Sequence, residues 1–236
     1  MILNGWFYMC GIFGVGVKNS TVDKALLVQA IRRLRHRGPD DSGVWLNGHV
    51  GLAHARLAIH DLSSDGRQPM LSANGRWVVV FNGEIYNFTS LRTELTQQHG
   101  VIFNSESDTE VLVNAIDTWG MSQTLLRLVG MFAFAAYDSV TKQLYLARDR
   151  FGEKPLYYGS QNGTFAFSSE LKALKLLSAV GWDFDVDRDT LATYMRLSYV
   201  PAPYSIYQHI YKLKPGHYVC YADGEVGVPI PYWSAR

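Results

Sequence analysis

The sequence predicts an α+β domain built in layers. Strand-like segments come in runs instead of alternating singly with helices, which argues against a parallel βαβ fold. Four of them follow one another closely, "MFAFAAYD", "QLYLARD", "PLYYG" and "TFAFSS", with turn residues between. Helical spacing is confined to a few segments, some of them paired.

Taken in chain order, "CGIFGVGV" alternates and reads as a first strand. Residues Thr21 to Leu34 carry apolar positions at helical spacing, with Ser20 as the expected cap. "RHRGPDDSG" is rich in turn formers and reads as a loop. "GLAHARLAI" and "RWVVVFNG" read as strands, and Phe88 to His99 as a helix. "SESDTEVLVNAIDTWG" reads as a second helix, opened by Ser107 and Glu110 in a capping-box pattern and closed by Gly120. After the four strands, "SELKALKLLSA" and "DRDTLATYMRLS" read as helices and "GHYVCYADGE" as a late strand pair. The tail "GEVGVPIPYWSAR" reads as a loop-like exit. There is no internal repeat and no low-complexity linker.

The chain has 236 residues, enough for one large domain or two small ones, and 47% of them are hydrophobic. A net charge of +1 with scattered Lys and Arg gives no nucleic-acid groove and no membrane-binding face. Cys10 and Cys220 are the only cysteines, too few for a disulfide framework and suited to a reducing compartment. No apolar run is long enough to span a bilayer, and "MILNGWFY" lacks the make-up of a signal peptide. A cytoplasmic protein is expected.

One cysteine stands out. Cys10 directly follows an internal methionine, Met9, in "GWFYMCGIFGVG". A thiol has a pKa of about 8.5 and needs a base at neutral pH, whereas an α-amino group titrates at about 7.7–8.0. A cysteine at the first position therefore carries nucleophile and base on one residue, by the logic of N-terminal threonine enzymes. A bridging water suits that transfer better than direct contact. Taken alone, Cys10 reads instead as a small strand residue in the core.

The neighbouring strings change the balance. "MCGIFG", "RHRGPDDSG", "HARLAI", "FNGEIYN", "SESDTEV", "RDRFGEKPLYYG" and "FSSELKAL" occur in one chain in this order. Together they resemble the class II glutamine amidotransferases, which are N-terminal-nucleophile hydrolases. The resemblance is closest to the glutaminase domain of glutamine-hydrolysing asparagine synthetases, and runs from Met9 to about Trp233. It implies a four-layer αββα sandwich with two antiparallel sheets. It implies that Cys10 attacks the side-chain amide of glutamine, leaving a thioester and releasing ammonia. Asn82 and Gly83 would supply the oxyanion hole; a strand ending in Asn-Gly sets an NH2 donor beside a backbone donor that no side chain blocks. Alone, that dipeptide reads as a hairpin turn. Arg56 would hold the α-carboxylate, for which a guanidinium fork is well shaped, or is simply an outward-facing strand residue. Asp108 would receive the α-ammonium, though an acid in a first helical turn stabilises the helix dipole regardless. Glu84 is a second candidate for the ammonium. Arg37 and its loop shape the pocket wall. His36, His54 and His60 have no ligand spacing, no metal is implied, and Asp149 and Arg150 read as a charged turn without a catalytic role.

By the same resemblance, 10–225 form the amidotransferase domain and 226–236 lead towards a synthetase domain. That domain would bind ATP and Mg and accept ammonia; its phosphate-binding loop does not occur in these 236 residues. No cofactor is expected in the amidotransferase domain itself. Residues 1–9 are a leader or a misplaced start. A leader that stays in place blocks the Cys10 amine, so no activity is expected from that form. Two other readings stay open: a pseudo-enzyme or interaction module that keeps the fold, and amidation of another acceptor, such as a sugar acid in polysaccharide synthesis.

Overall fold

The computed structural model describes residues 9–58 and 66–235. His60 and the leader residues 1–8, on which the alternative starts turn, lie outside the described residues.

Two antiparallel sheets pack face to face, and helices cover both outer faces. The first sheet holds β1 (Gly11–Val17), β2 (Asp41–Asn47), β3 (Val50–Arg56), β8 (Tyr157–Gln161), β9 (Thr164–Ser168) and β10 (Ile210–Lys212). Their spatial order is β10-β8-β9-β1-β3-β2. The second holds β4 (Met70–Leu71), β5 (Trp77–Ile85), β6 (Gly130–Asp138), β7 (Gln143–Arg148), β11 (His217–Ala222) and β12 (Glu225–Val226), in the order β12-β11-β7-β6-β5-β4. β13 (Ile230–Pro231) adds to β11, so the tail expected as a loop contributes short strands instead. The helices are α1 (Lys24–Leu34), α2 (Phe88–His99), α3 (Asp108–Arg127), α4 (Leu171–Leu174) and α5 (Arg188–Leu197).

The burial pattern explains the layering. β1 is buried on both faces, so its residues read as a near-continuous apolar run. Its Ile12 packs between the sheets with Leu52, Val80, Leu146 and Phe167. Phe13 and Val15 face the opposite way, under α1 and α4, with Leu27, Leu34 and Leu174. A third apolar cluster lies under α2 and α3, where Phe81, Phe132 and Phe134 meet Leu95, Leu112 and Ile116. Each fully buried side chain of this size contributes about 1.5–3 kcal/mol. Three apolar seams between four layers make the αββα sandwich.

Local signals differ from expectation in four places. The cap of α1 is Asp23, whose carboxylate accepts from Ala25 N at 2.8 Å; Ser20 lies too far upstream. Ser107 does cap α3, accepting from Thr109 N at 3.1 Å. Glu110 makes no reciprocal capping box. Its carboxylate reaches further back, accepting from Asn104 N, Ser105 N and Ser105 Oγ at 2.7–2.8 Å, and so ties down the loop before the helix. Gly120 breaks the helical backbone at φ 76° but does not end the helix, which resumes to Arg127 after the kink. The second half of "RHRGPDDSG" is also more ordered than a loop, since β2 starts at Asp41.

Candidate functional site

Cys10 sits at the head of β1, between Arg37 and the end of β3. Its thiol donates to Leu57 O at 3.7 Å and accepts from Leu57 N at 3.4 Å. Its carbonyl accepts from Arg37 Nε at 3.0 Å, and Arg37 is held in turn by Glu170 at 3.0 Å. Two residues further, Ile12 N donates to Ser169 Oγ, and Ser169 N to Ile12 O, both at 3.0 Å. The head of the strand is thus fixed on several sides. Burial raises the thiol pKa, and the nearby Asp108 raises it further; Leu57 N–H, Arg56 and Arg37 pull it down. Such a thiol needs a base before it attacks anything.

Beside Cys10 lies a cavity of about 170 Å³. All the sequence-predicted site residues line it: Cys10, Arg56, Asn82, Gly83, Glu84 and Asp108. They come from four addresses in the fold. Arg56 is the last residue of β3, Asn82 to Glu84 lie near the end of β5, and Asp108 begins α3. Asn-Gly forms no turn here; both residues are paired with β6, Asn82 opposite Ala133 and Gly83 opposite Phe132.

The edge of β5 facing the cavity explains why those two residues are donors. β4 pairs only as far as Val79, which leaves the rest of that edge to other partners. Phe81 N donates to Gln68 Oε1 at 2.6 Å, and Ile85 N donates to Asp108 Oδ2 at 3.0 Å. Strand alternation puts Gly83 N–H on the same edge, between these two. Only glycine fits there: a Cβ on Gly83 would stand 2.2 Å from Met131 O. Asn82 is 1% exposed, and its Nδ2 has no hydrogen-bond partner among the described residues. A buried amide donor left unpaired costs about 1–3 kcal/mol, so its retention points to a partner that arrives with a ligand.

Several neighbours gave no sequence signal. Leu57 contributes only backbone. Gln68 bridges β5 to Thr109 of α3, donating from Nε2 at 3.1 Å, and so sets the helix against the strand edge. Lys154 also lines the cavity, with Nζ 3.1 Å from Met9 Sδ. Its sequence trace is one cation placed directly before Pro155 and a strand. Arg37 backs Cys10 from outside the cavity lining. Asp149, expected to sit in a charged turn, is completely buried and anchors that turn. Among the described residues, no group of three or more His, Cys, Asp or Glu is placed to hold a metal, and no helix is long and apolar enough to cross a membrane.

Chemically, the cavity combines a thiol, two neighbouring N–H donors, two cations and two carboxylates. That set suits a small zwitterion carrying a polar carbonyl. Two sheets face to face between helices, with the thiol at the head of a central strand, form the architecture of the N-terminal-nucleophile hydrolases. Within that class, a family model described as a glutamine amidotransferase domain matches residues 9–233, and the chain belongs to this family in its class II form. It is 41% identical over 206 residues to a putative glutamine-hydrolyzing asparagine synthetase of Mycobacterium tuberculosis, covering 83% of this chain and 31% of that protein. It is 37% identical over 223 residues to asparagine synthetase 1 of Bacillus subtilis, covering 92% and 34%. The chain thus spans about a third of the length of these curated relatives. Its fold is similar to that of glutamine phosphoribosylpyrophosphate amidotransferase from B. subtilis, at a TM-score of 0.70 and 21% identity, over 95% of this chain and 49% of the other.

Proposed function

We propose that this chain hydrolyses the side-chain amide of glutamine through a Cys10 thioester and supplies the ammonia to an ATP-dependent unit of asparagine-synthetase type. The observation that carries the reading is the unpartnered Asn82 Nδ2, buried in one cavity with the Cys10 thiol and beside Gly83 N–H.

With Cys10 leading the chain, its α-amine takes the thiol proton through a bridging water. The sulfur then attacks the amide carbon, and the carbonyl oxygen becomes an oxyanion that accepts from Asn82 Nδ2 and Gly83 N–H. Leu57 N–H, already 3.4 Å from the sulfur, stabilises the thiolate while the S–H bond to Leu57 O is given up. Collapse of the tetrahedral species breaks the C–N bond. The α-ammonium returns its proton to the leaving nitrogen, and ammonia departs. A water activated by the same amine then adds to the thioester, and glutamate leaves with the thiol restored.

Arg56 pairs with the α-carboxylate of glutamine, while Asp108 and Glu84 meet its α-ammonium. Asp108 is well set for this because Ile85 N already holds one of its oxygens. ATP and Mg2+ belong to the accepting unit in this scheme, and the amidotransferase chemistry uses neither. Neutral ammonia protonates quickly in bulk water, so the acceptor is expected to dock close by. Retention of residues 1–9 would leave the Cys10 nitrogen acylated and the base missing.

The test is covalent. A chain produced with Cys10 first is expected to react with 6-diazo-5-oxo-norleucine, adding one label that peptide mass spectrometry finds on Cys10. Excess glutamine should protect it. An unlabelled Cys10 in a folded chain would overturn the proposal.

A further inference from the structure

Lys154 is a cation that the scheme above does not use, yet the fold fixes its backbone firmly. It follows a turn after β7 that is organised by two buried side chains. The Asp149 carboxylate accepts from the backbone N–H of Phe132, Phe151, Glu153 and Lys154 at 2.9–3.2 Å. Arg148 donates to Lys154 O, Leu213 O and Gly152 O at 2.6–2.7 Å. The turn thereby delivers the Lys154 side chain into the cavity, where the residue is 7% exposed.

The contact it makes there is a poor one. Its Nζ meets Met9 Sδ at 3.1 Å, and a thioether is a weak acceptor for an ammonium. A buried cation with so weak a partner points to a role that appears when Met9 leaves. The peptide joining Met9 to Cys10 is held at both ends, by Met9 N donating to Arg37 O and Arg37 Nε donating to Cys10 O, each at 3.0 Å. Lys154 therefore lies against the side chain of Met9, whose removal frees the Cys10 amine, in the cavity that Cys10 also lines.

We propose that Lys154 is a positioning residue that keeps the Cys10 α-amine neutral, and so able to accept the thiol proton. This rests on the reading that Cys10 leads the active chain. A second cation nearby disfavours the ammonium form of the amine. The charged groups facing this site are Arg37 from the loop after α1, Arg56 from β3, Glu84 from β5 and Asp108 from α3. Glu153 and Asp149 lie on the Lys154 side. Arg37 is matched by its ion pair with Glu170. Burial lowers the proton affinity of Lys154 itself, while Glu84, Glu153 and Asp149 help it stay charged.

The experiment reads the amine directly. In a chain beginning at position 10 and carrying Cys10→Ser, which removes the overlapping thiol titration, the leading amine is labelled with 15N and titrated by NMR. Lys154→Met is expected to raise its pKa by about one unit, and Lys154→Arg to leave it unchanged. Lys154→Gln serves if the Met variant fails to fold. In the Cys10 enzyme, the same change should move the acidic limb of kcat/KM to higher pH by the same amount, with KM for glutamine unchanged and activity regained in alkali. An amine pKa that ignores Lys154, or an activity loss equal at every pH, overturns the proposal. The titration needs no turnover, so a chain that did not hydrolyse glutamine would sink the functional reading and still leave Lys154 open to measurement.

Discussion

At Asn82 the chain keeps an amide donor without a partner in a place shielded from water. Ordinary packing would have satisfied it or replaced it. Removing one oxyanion-hole donor typically costs about 2.7–4 kcal/mol of transition-state stabilisation. Asn82→Ala in a chain led by Cys10 is therefore expected to lower kcat for glutamine hydrolysis by about 10²–10³-fold while KM changes little. A fall in KM affinity alone would make Asn82 a substrate clamp instead. At this scale much of the cavity was legible, because Cys10, Arg56, Asn82, Gly83, Glu84 and Asp108 sit in recognisable strings and all line it. Leu57, Gln68 and Lys154 were not, although Leu57 and Lys154 lie inside two of the same strings. Their parts depend on backbone atoms or on which distant strand lies opposite, and a side chain's identity carries no trace of either.

At the scale of the element, β5 decides the site. Its neighbour β4 stops early, so the N–H row at Phe81, Gly83 and Ile85 turns towards Gln68, the cavity and Asp108 in succession. The strand is bolted to the other sheet by His54 of β3, which lies opposite Ile12 of β1 and donates from Nε2 to Phe81 O at 3.0 Å. Complete burial pushes the His54 pKa down to about 4, with Phe81 O opposing and Arg56 adding to the fall. The unfolded chain binds that proton near pH 6.5, and the folded chain does so only near pH 4. The unfolded state therefore holds more protons in this window. Stability from this group is complete above about pH 6.5 and is lost as pH falls, by about 3 kcal/mol between pH 7 and pH 4. Urea unfolding across that range should show the slope, and His54→Gln should flatten it. An unchanged slope would mean that other groups govern acid stability. Such a bolt is invisible in sequence, since a histidine in an apolar strand gives no hint of which carbonyl stands opposite. Element existence was far easier to read: Phe88–His99 matches α2 to the residue, because Leu91 and Leu95 fall at helical spacing and Gly100 closes it with φ 69°. Caps and stops were harder. Asp23 displaced Ser20, and Gly120 kinked α3 without ending it, because apolar packing on both sides of the kink holds the helix together.

Across the whole molecule, the sandwich gathers separate pieces of chain into one cavity. The head of β1, the end of β3, the open edge of β5, the first turn of α3 and the turn after β7 all contribute. The layered α+β class followed from the clustering of strands, but the pairing of the sheets did not. β1 lies between β3 and β9, a partner more than a hundred residues away, and local pattern cannot specify such a neighbour. On the proposed chemistry, the same arrangement makes the Cys10 nitrogen matter as much as its sulfur. The most direct measurement is the rate of ammonia release from glutamine by two forms of the chain, one retaining residues 1–9 and one beginning at Cys10. The chemistry argued above predicts release from the second form and little or none from the first, with the difference lost on Cys10→Ala. Equal rates from both forms would contradict it, because the base would then not be the leading amine.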